Sequence, residues 1–281
     1  MLIRRVTCSI CRSVAAVAFV VGILLLLPGC ASSGGGTASK TAPQRTFRVM
    51  TYNIHHGEGL DKRIDLERIA KLILAERADI VALEEVDKSV QRTARRDLPA
   101  ELANLTGMTC LFTNNFHYQG GEYGSAILTR FPVQSWTNLH YRMIRQGEQR
   151  GLLQARLSIH GKPLVFMTTH IDYRKDDTER LSNVEELFSV AAGYGSAPLL
   201  VAGDFNDHPN SKTWNRMAER FEDSWKLVGI GDGFTIPAEA PKSRIDYIWV
   251  RKGTAMAPRK AWVPTSEASD HLPLVVEFDV P

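Results

Sequence analysis

With 281 residues, 44% of them hydrophobic, the chain can bury a sizeable core, either as one large two-sheet domain or as two small ones. The formal charge of +3, from 34 basic and 31 acidic residues, includes Arg4, Arg5 and Arg12 of an apparent leader; without them the balance is zero, which removes bulk charge as an argument for nucleic-acid binding. Cys8 and Cys11 would leave with the same leader and Cys30 would be lipidated at its end, which leaves Cys110 alone, so no intrachain disulfide is expected.

The first 45 residues stand apart from the core. Three arginines precede an uncharged run from Val14 to Leu27, 14 residues long, short of the roughly 20 that span a bilayer. Residues 1–29 therefore read as a signal peptide. Leu27-Pro28-Gly29-Cys30 resembles the lipobox of bacterial lipoproteins, with Pro28 as its unusual occupant. That resemblance implies lipidation of Cys30, and Ala31 after it implies outer-membrane sorting. The expected location is the bacterial cell envelope, outside the cytoplasm, with the membrane as partner through acyl chains contributing about 0.8 kcal/mol per buried CH₂. A plain secretory signal or an uncleaved anchor is the alternative. Residues 30–45, rich in Ser, Gly, Thr and Ala, read as a flexible tether.

Residues 46–281 contain no linker and are expected to form one domain. Phe47–Ile54 reads as a strand, followed by the loop His55-His56-Gly57-Glu58-Gly59. Asp65 can cap a helix whose Leu66, Ile69, Ala70, Ile73 and Leu74 share a face. The apolar run Ile80–Leu83 reads as an interior strand. Leu98, Leu102 and Leu105 mark a second helix ended by Gly107, and Cys110 reads as a buried core thiol. Strands follow at Ser125–Thr129, Leu152–Ile159 and Leu164–Thr169, the last two joined by a turn at His160-Gly161. Leu181, Val184, Leu187 and Phe188 mark a third helix, and Pro198–Val201 the next strand. A shorter helix after Ser211 carries Trp214, Met217 and Phe221. Three strands close the chain, near Ile245–Val250, Arg259–Val263 and Leu274–Phe278. Such an order predicts an α+β protein of two packed mixed β-sheets flanked by helices.

Functional groups cluster where these strands begin or end. In Ala202-Gly203-Asp204-Phe205-Asn206, period-2 geometry sends an acid and an amide to one side of a strand end. Further polar ends are Met50-Thr51-Tyr52-Asn53, Val81-Ala82-Leu83-Glu84-Glu85, Thr168-Thr169-His170-Ile171-Asp172, Arg244-Ile245-Asp246-Tyr247 and Ser269-Asp270-His271-Leu272-Pro273. Together, in this order, the six resemble the endonuclease/exonuclease/phosphatase family of metal-dependent phosphoesterases.

The resemblance implies a four-layer α/β/β/α sandwich of the deoxyribonuclease-I type and hydrolysis of a phosphate ester with Mg²⁺, or Mn²⁺ in its place. It implies Glu85 as the metal ligand, with Asn53 orienting or joining it and Asp270 reaching the ion directly or through water. Glu84 stands where the family has Gln, as a structural acid or as help to the metal. Asp204 would position or deprotonate the attacking water, and Asn206 would donate to a phosphoryl oxygen. His271, paired with Asp246, would serve as base or anion partner, and His170 would bind phosphate as a cation, oriented by Glu122. Asp172 is as readily a turn residue.

Substrate contacts are expected from Arg92, within the cluster Arg92, Arg95 and Arg96, and from His56, beside His55. Arg142, Arg145 and Arg150 form a second basic cluster; either cluster could equally be a solvated face. The leading expectation is a monomeric phosphodiesterase for a small or lipid-linked substrate. The alternatives are an extracytoplasmic nuclease and a non-catalytic binding lipoprotein of the same fold.

Overall fold

A computed structural model describes residues 45–280, so the expectations for the leader, for Cys30 and for the tether as far as residue 44 lie outside the described residues. In chain order the elements are β1 (Thr46–Asn53), α1 (Leu66–Ala75), β2 (Ile80–Lys88), α2 (Leu98–Thr106), β3 (Thr109–Tyr118), β4 (Gly121–Thr129), β5 (Val133–His140), β6 (Gly151–Ile159) and β7 (Lys162–His170). There follow α3 (Thr178–Ala192), β8 (Leu199–Asp204), α4 (Lys212–Met217), β9 (Phe221–Asp223), α5 (Ser224–Val228), β10 (Asp246–Arg251), β11 (Pro258–Trp262) and β12 (Leu274–Asp279).

Alternation along these strands builds two six-stranded sheets, in the orders β11-β12-β1-β2-β4-β3 and β5-β6-β7-β8-β10-β9. Each is mixed: β1 and β2 are parallel, as are β7 and β8, while the remaining neighbours run antiparallel. One face of each sheet meets the other through an apolar layer that includes Phe47, Val49, Ile80, Ala82, Leu153, Phe166, Leu200, Ala202 and Ile248. The outer face of the first sheet packs Met50, Val81 and Leu83 against Leu66, Ile69 and Ile73 of α1 and Leu98 and Leu102 of α2. The outer face of the second packs Met167, Val201 and Trp249 against Val184, Leu187 and Phe188 of α3 and Trp214 and Met217 of α4. The expected four-layer sandwich is the observed architecture.

Local signals carried most of the elements. The Asp65 carboxylate accepts from the Arg68 N–H at 3.1 Å and starts α1, and Gly107, at φ +66°, closes α2. Leu74 falls off the buried face and is 42% exposed. Three strands, β3, β5 and β9, were not anticipated. All three are edge strands, where one flank of the ladder goes unpaired; β5, in particular, is exposed along most of its length and carries little apolar signal. Phe221 opens β9 instead of extending α4. Cys110, on edge strand β3, is partly buried, and burial pushes its thiol up to about 12, a range in which it is unreactive.

Candidate active site

Register brings the polar strand ends into line. In the second sheet His170 pairs with Asp204 across β7 and β8, and Asp204 with Asp246 across β8 and β10. In the first, Asn53 pairs with Glu84 across β1 and β2. Counting by twos from Val49, Ala82, Phe166, Ala202 and Ile248 of the intersheet layer, Asn53, Glu84, His170, Asp204 and Asp246 all fall on the inner faces. The apolar layer thus gives way, at one end of the sandwich, to five polar side chains. Gly203 permits this crowding: it stands opposite Thr169 at φ +143°, and a Cβ there would lie 1.8 Å from the Thr169 carbonyl oxygen.

Glu84 is fully buried and accepts from Thr168 Oγ1 at 2.8 Å, across the two sheets, and from Thr51 Oγ1 at 3.4 Å. Burial, then the carboxylates of Asp246 and Asp204, hold its pKa well above the usual value of 4.5. It is the hydrogen-bonded structural acid of the two readings. A carboxyl whose folded pKa is raised contributes stability that is complete below its unfolded value and is lost as pH climbs toward the folded one. Glu84→Gln keeps the neutral shape without that loss. Its melting temperature should match the parent near pH 4.5 and exceed it increasingly as pH rises to 8; an identical pH dependence in the two proteins would refute the assignment.

Alternation alone would send Glu85 outward. A bulge between Leu83 and Val86 intervenes, with Glu85 at φ +58°, and such irregularities re-aim a side chain. Glu85 Oε1 accepts from Asn53 Nδ2 at 3.1 Å, and the same nitrogen donates to Asp204 Oδ2 at 3.1 Å. The Asn53 side-chain oxygen accepts from the His55 N–H at 3.1 Å, so the two ends of its amide are held and Asn53 orients the two acids. Asp204 Oδ1 takes the Asn206 N–H at 2.8 Å. Burial and the neighbouring Asp246 raise the Asp204 pKa.

His271 Nδ1 lies 3.0 Å from Asp246 Oδ2, and His271 Nε2 lies 3.8 Å from Asp204 Oδ2. Burial opposes its charged form, but Asp246, Asp204 and Asp270 outweigh that and raise its pKa. For His170 the expectation of a cation is corrected. It lies 3.5 Å from Asp204, yet burial, followed by the nearby Arg150, holds it neutral, well below the usual value. Glu122 does not orient it, being paired with Lys88 at 3.6 Å.

A cavity of about 300 Å³ collects Glu85, His170, Asp204, Asn206 and His271 with Arg92 and Arg150. Arg92 is held by both oxygens of buried Asp87 at 2.8 Å and lies over Tyr118 and Tyr123. From the second basic cluster Arg150 alone enters, paired with Glu148 at 2.8 Å and set over Tyr173. Arg95 binds loop carbonyls, Arg96 binds Glu101, Arg145 binds Asp176, and the Arg142 backbone N–H binds Glu186. Asp172 is the turn residue, bound to the Arg174 N–H at 3.0 Å and to its guanidinium at 2.9 Å.

Asp270 is a partial miss. Its side chain is 44% exposed and approaches the site from its rim, 3.9 Å from His55 and accepting from Ser269 Oγ at 3.3 Å. Burial, with Arg92 and His55 nearby, pushes His56 down to about 3. Sequence reasoning passed over the aromatic wall of the cavity, Phe116, Tyr118, Tyr123 and Tyr173; the Gly-flanked Tyr123 was its one available signal. Two groups of donors converge here among the described residues: His55, His56 and Glu85, and Asp204, Asp246 and His271, each with donor atoms within 4.8 Å of one another.

Comparison with known proteins agrees with this arrangement. The profile of the Endonuclease/Exonuclease/phosphatase family matches residues 50–271. The uncharacterized protein YbhP of Escherichia coli K12 is 27% identical over 254 residues, covering 84% of this chain and 97% of its own. A mannosyl-6-phosphatase of Bacteroides thetaiotaomicron superposes with a TM-score of 0.68 at 17% identity, over 83% of this chain and all of that one. The human Nocturnin catalytic domain with bound sulfate superposes with a TM-score of 0.66 at 22% identity, over 83% of this chain and 94% of that one.

Proposed function

Because the chain belongs to the endonuclease/exonuclease/phosphatase family, whose members hydrolyse phosphoesters, we propose that it is a metal-dependent phosphoric ester hydrolase using in-line attack of water. One observation carries the reading: Glu85, Asn53, Asp204, His271 and Asp246 form a linked polar chain, and Glu85, Asp204 and His271 of that chain line a single cavity.

The carboxylate of Glu85 suits a divalent cation, Mg²⁺ or Mn²⁺. When bound, such an ion would add positive charge to the phosphoryl oxygens and acidify a water. The chain's own groups do the rest. Asp204, with its raised pKa, is matched to taking a proton from the attacking water. His271, held as imidazolium by Asp246, faces the developing charge as an anion partner. Arg92 and Arg150 supply the fixed positive charge that neutral His170 does not. Asn206 Nδ2 donates to the Ile171 carbonyl at 3.1 Å, leaving its second N–H for a phosphoryl oxygen.

For substrate, the reading is a small or lipid-linked phosphodiester. The small cavity and the near-zero charge without the leader support it over a nuclease. Hydrolysis of bis(p-nitrophenyl) phosphate is expected to cease in EDTA and to return with Mg²⁺ or Mn²⁺; full turnover in EDTA would end the metal-dependent reading. Plasmid nicking at enzyme levels too low to turn over the diester or phospholipid vesicles would reassign the protein as a nuclease. An anchored enzyme would meet its substrate at a bilayer. Cys30→Ser should then move the activity from the membrane to the soluble fraction, and an unchanged distribution would exclude anchoring through this residue.

A further inference from the structure

We infer that His55 and His56 join Glu85 in binding the divalent ion, and that this nitrogen-containing set favours a borderline first-row ion such as Co²⁺ or Zn²⁺ over Mg²⁺. The inference rests on the reading of Glu85 as a metal ligand. Its own support is geometric. One donor atom from each of the three side chains lies within 4.8 Å of the other two.

Backbone conformation at all three positions is unusual in the same way. His55, His56 and Glu85 stand at φ +44°, +46° and +58°, a region that non-glycine residues enter uncommonly, in turns and bulges and at functional sites. The turn His55–Gly57 and the bulge in β2 thereby aim two imidazoles and a carboxylate at one another. Asn53 ties the pieces together, accepting from the His55 N–H and donating to Glu85.

His56 supplies the second observation. It is only 7% exposed, and its buried Nδ1 has no hydrogen-bond partner. Its other ring nitrogen lies 3.9 Å from Glu58. Most buried polar side-chain atoms in folded proteins are paired. A metal would give the idle one its partner.

The donor count decides the kind of ion. Two imidazoles and one carboxylate leave a position for water, as in catalytic zinc sites. Mg²⁺ prefers oxygen donors throughout, whereas imidazole suits later first-row ions, whose affinities also rise along the series.

Titration of the full-length protein in detergent with Co²⁺, followed by its visible absorption and with Mg²⁺ as competitor, tests this. Wild type should bind Co²⁺ at least about 10-fold more tightly than Mg²⁺. His55→Ala and His56→Gln should each weaken Co²⁺ at least about 10-fold, the lower end of the loss seen even for residues that merely support a ligand, with Mg²⁺ affinity almost unchanged. His271→Gln, in the neighbouring donor group, should leave the Co²⁺ spectrum in place. Unchanged Co²⁺ affinity in the histidine variants overturns the inference. Should His56→Gln not fold, as a melting curve would reveal, the more exposed His55→Ala decides alone. Glu85→Gln separates the two readings: if it abolishes Mg²⁺ binding while the histidine variants keep Co²⁺ affinity, the imidazoles alone are discarded; if it spares both ions, the assignment of Glu85 falls as well.

Discussion

Asp204→Asn is expected to lower kcat on a phosphodiester by at least about 10²-fold, the range for removing a general base or a charge-stabilising group, with little change in melting temperature. The two halves of this result have one origin. Asp204 is 1% exposed and shares its surroundings with Asp246 and fully buried Glu84, so its pKa is raised because the site resists another negative charge. Removing that charge relieves repulsion and the amide oxygen still accepts from the Asn206 N–H, which offsets the loss of the bond that Asn53 donates to the other oxygen. Chemistry is therefore lost and stability held. Single-turnover rates and melting curves on the same preparation give the answer. A variant within threefold of wild-type turnover would remove Asp204 from the mechanism, and a large drop in melting temperature would mean that its role is structural.

Gly203→Ala should be among the most damaging small substitutions in the described residues. The added methyl carbon would sit 1.8 Å from the Thr169 carbonyl oxygen, at a φ of +143° that side chains rarely adopt. Nothing flexible can yield, because both atoms belong to the paired strands β7 and β8. The strands must separate or shift register, which places the variant in the small class that costs more than about 4 kcal/mol. For a domain of this size that corresponds to a fall of at least about 10 °C in melting temperature. Because His170 and Asp204 face each other one pair further along the same strands, any protein that still folds should also lose about 10²-fold in rate, the cost of a displacement near 1 Å. A soluble variant melting with the wild type would show that the close approach of the strands is not needed.

How far all this could be read from sequence differs by level. The buried strands were legible because both of their faces meet other layers and their apolar runs stand out, as at Ile80–Leu83 and Leu199–Val201. The polar groups at their ends were legible too, since acid, amide and imidazole side chains interrupt such runs conspicuously. That Asp204, His170 and Asp246 form one row is a matter of register, which period-2 alternation within a strand does not specify. Glu85 is a sharper case. Periodicity favours Glu84 for the interior, and a backbone irregularity, not a pattern, turns Glu85 into the cavity. The aromatic wall stayed hidden because Phe116 and Tyr118 follow an Asn pair on an edge strand that bulges between Asn114 and Phe116. Charge state was beyond reach as well: whether His170 is a cation depends on how deeply it is covered, and it is 4% exposed.

Three hydrogen bonds described above join opposite halves of the sandwich at its active end: Thr168 to Glu84, Asn53 to Asp204, and His271 to Asp246. Over most of their inner faces the halves meet through apolar packing, which has no directional preference. Here directional polar links act as rivets, so the machinery that would cleave an ester also sets the spacing of the scaffold around it. Neither half holds a complete reaction centre, and a phosphate gripped between them would fasten the seam further.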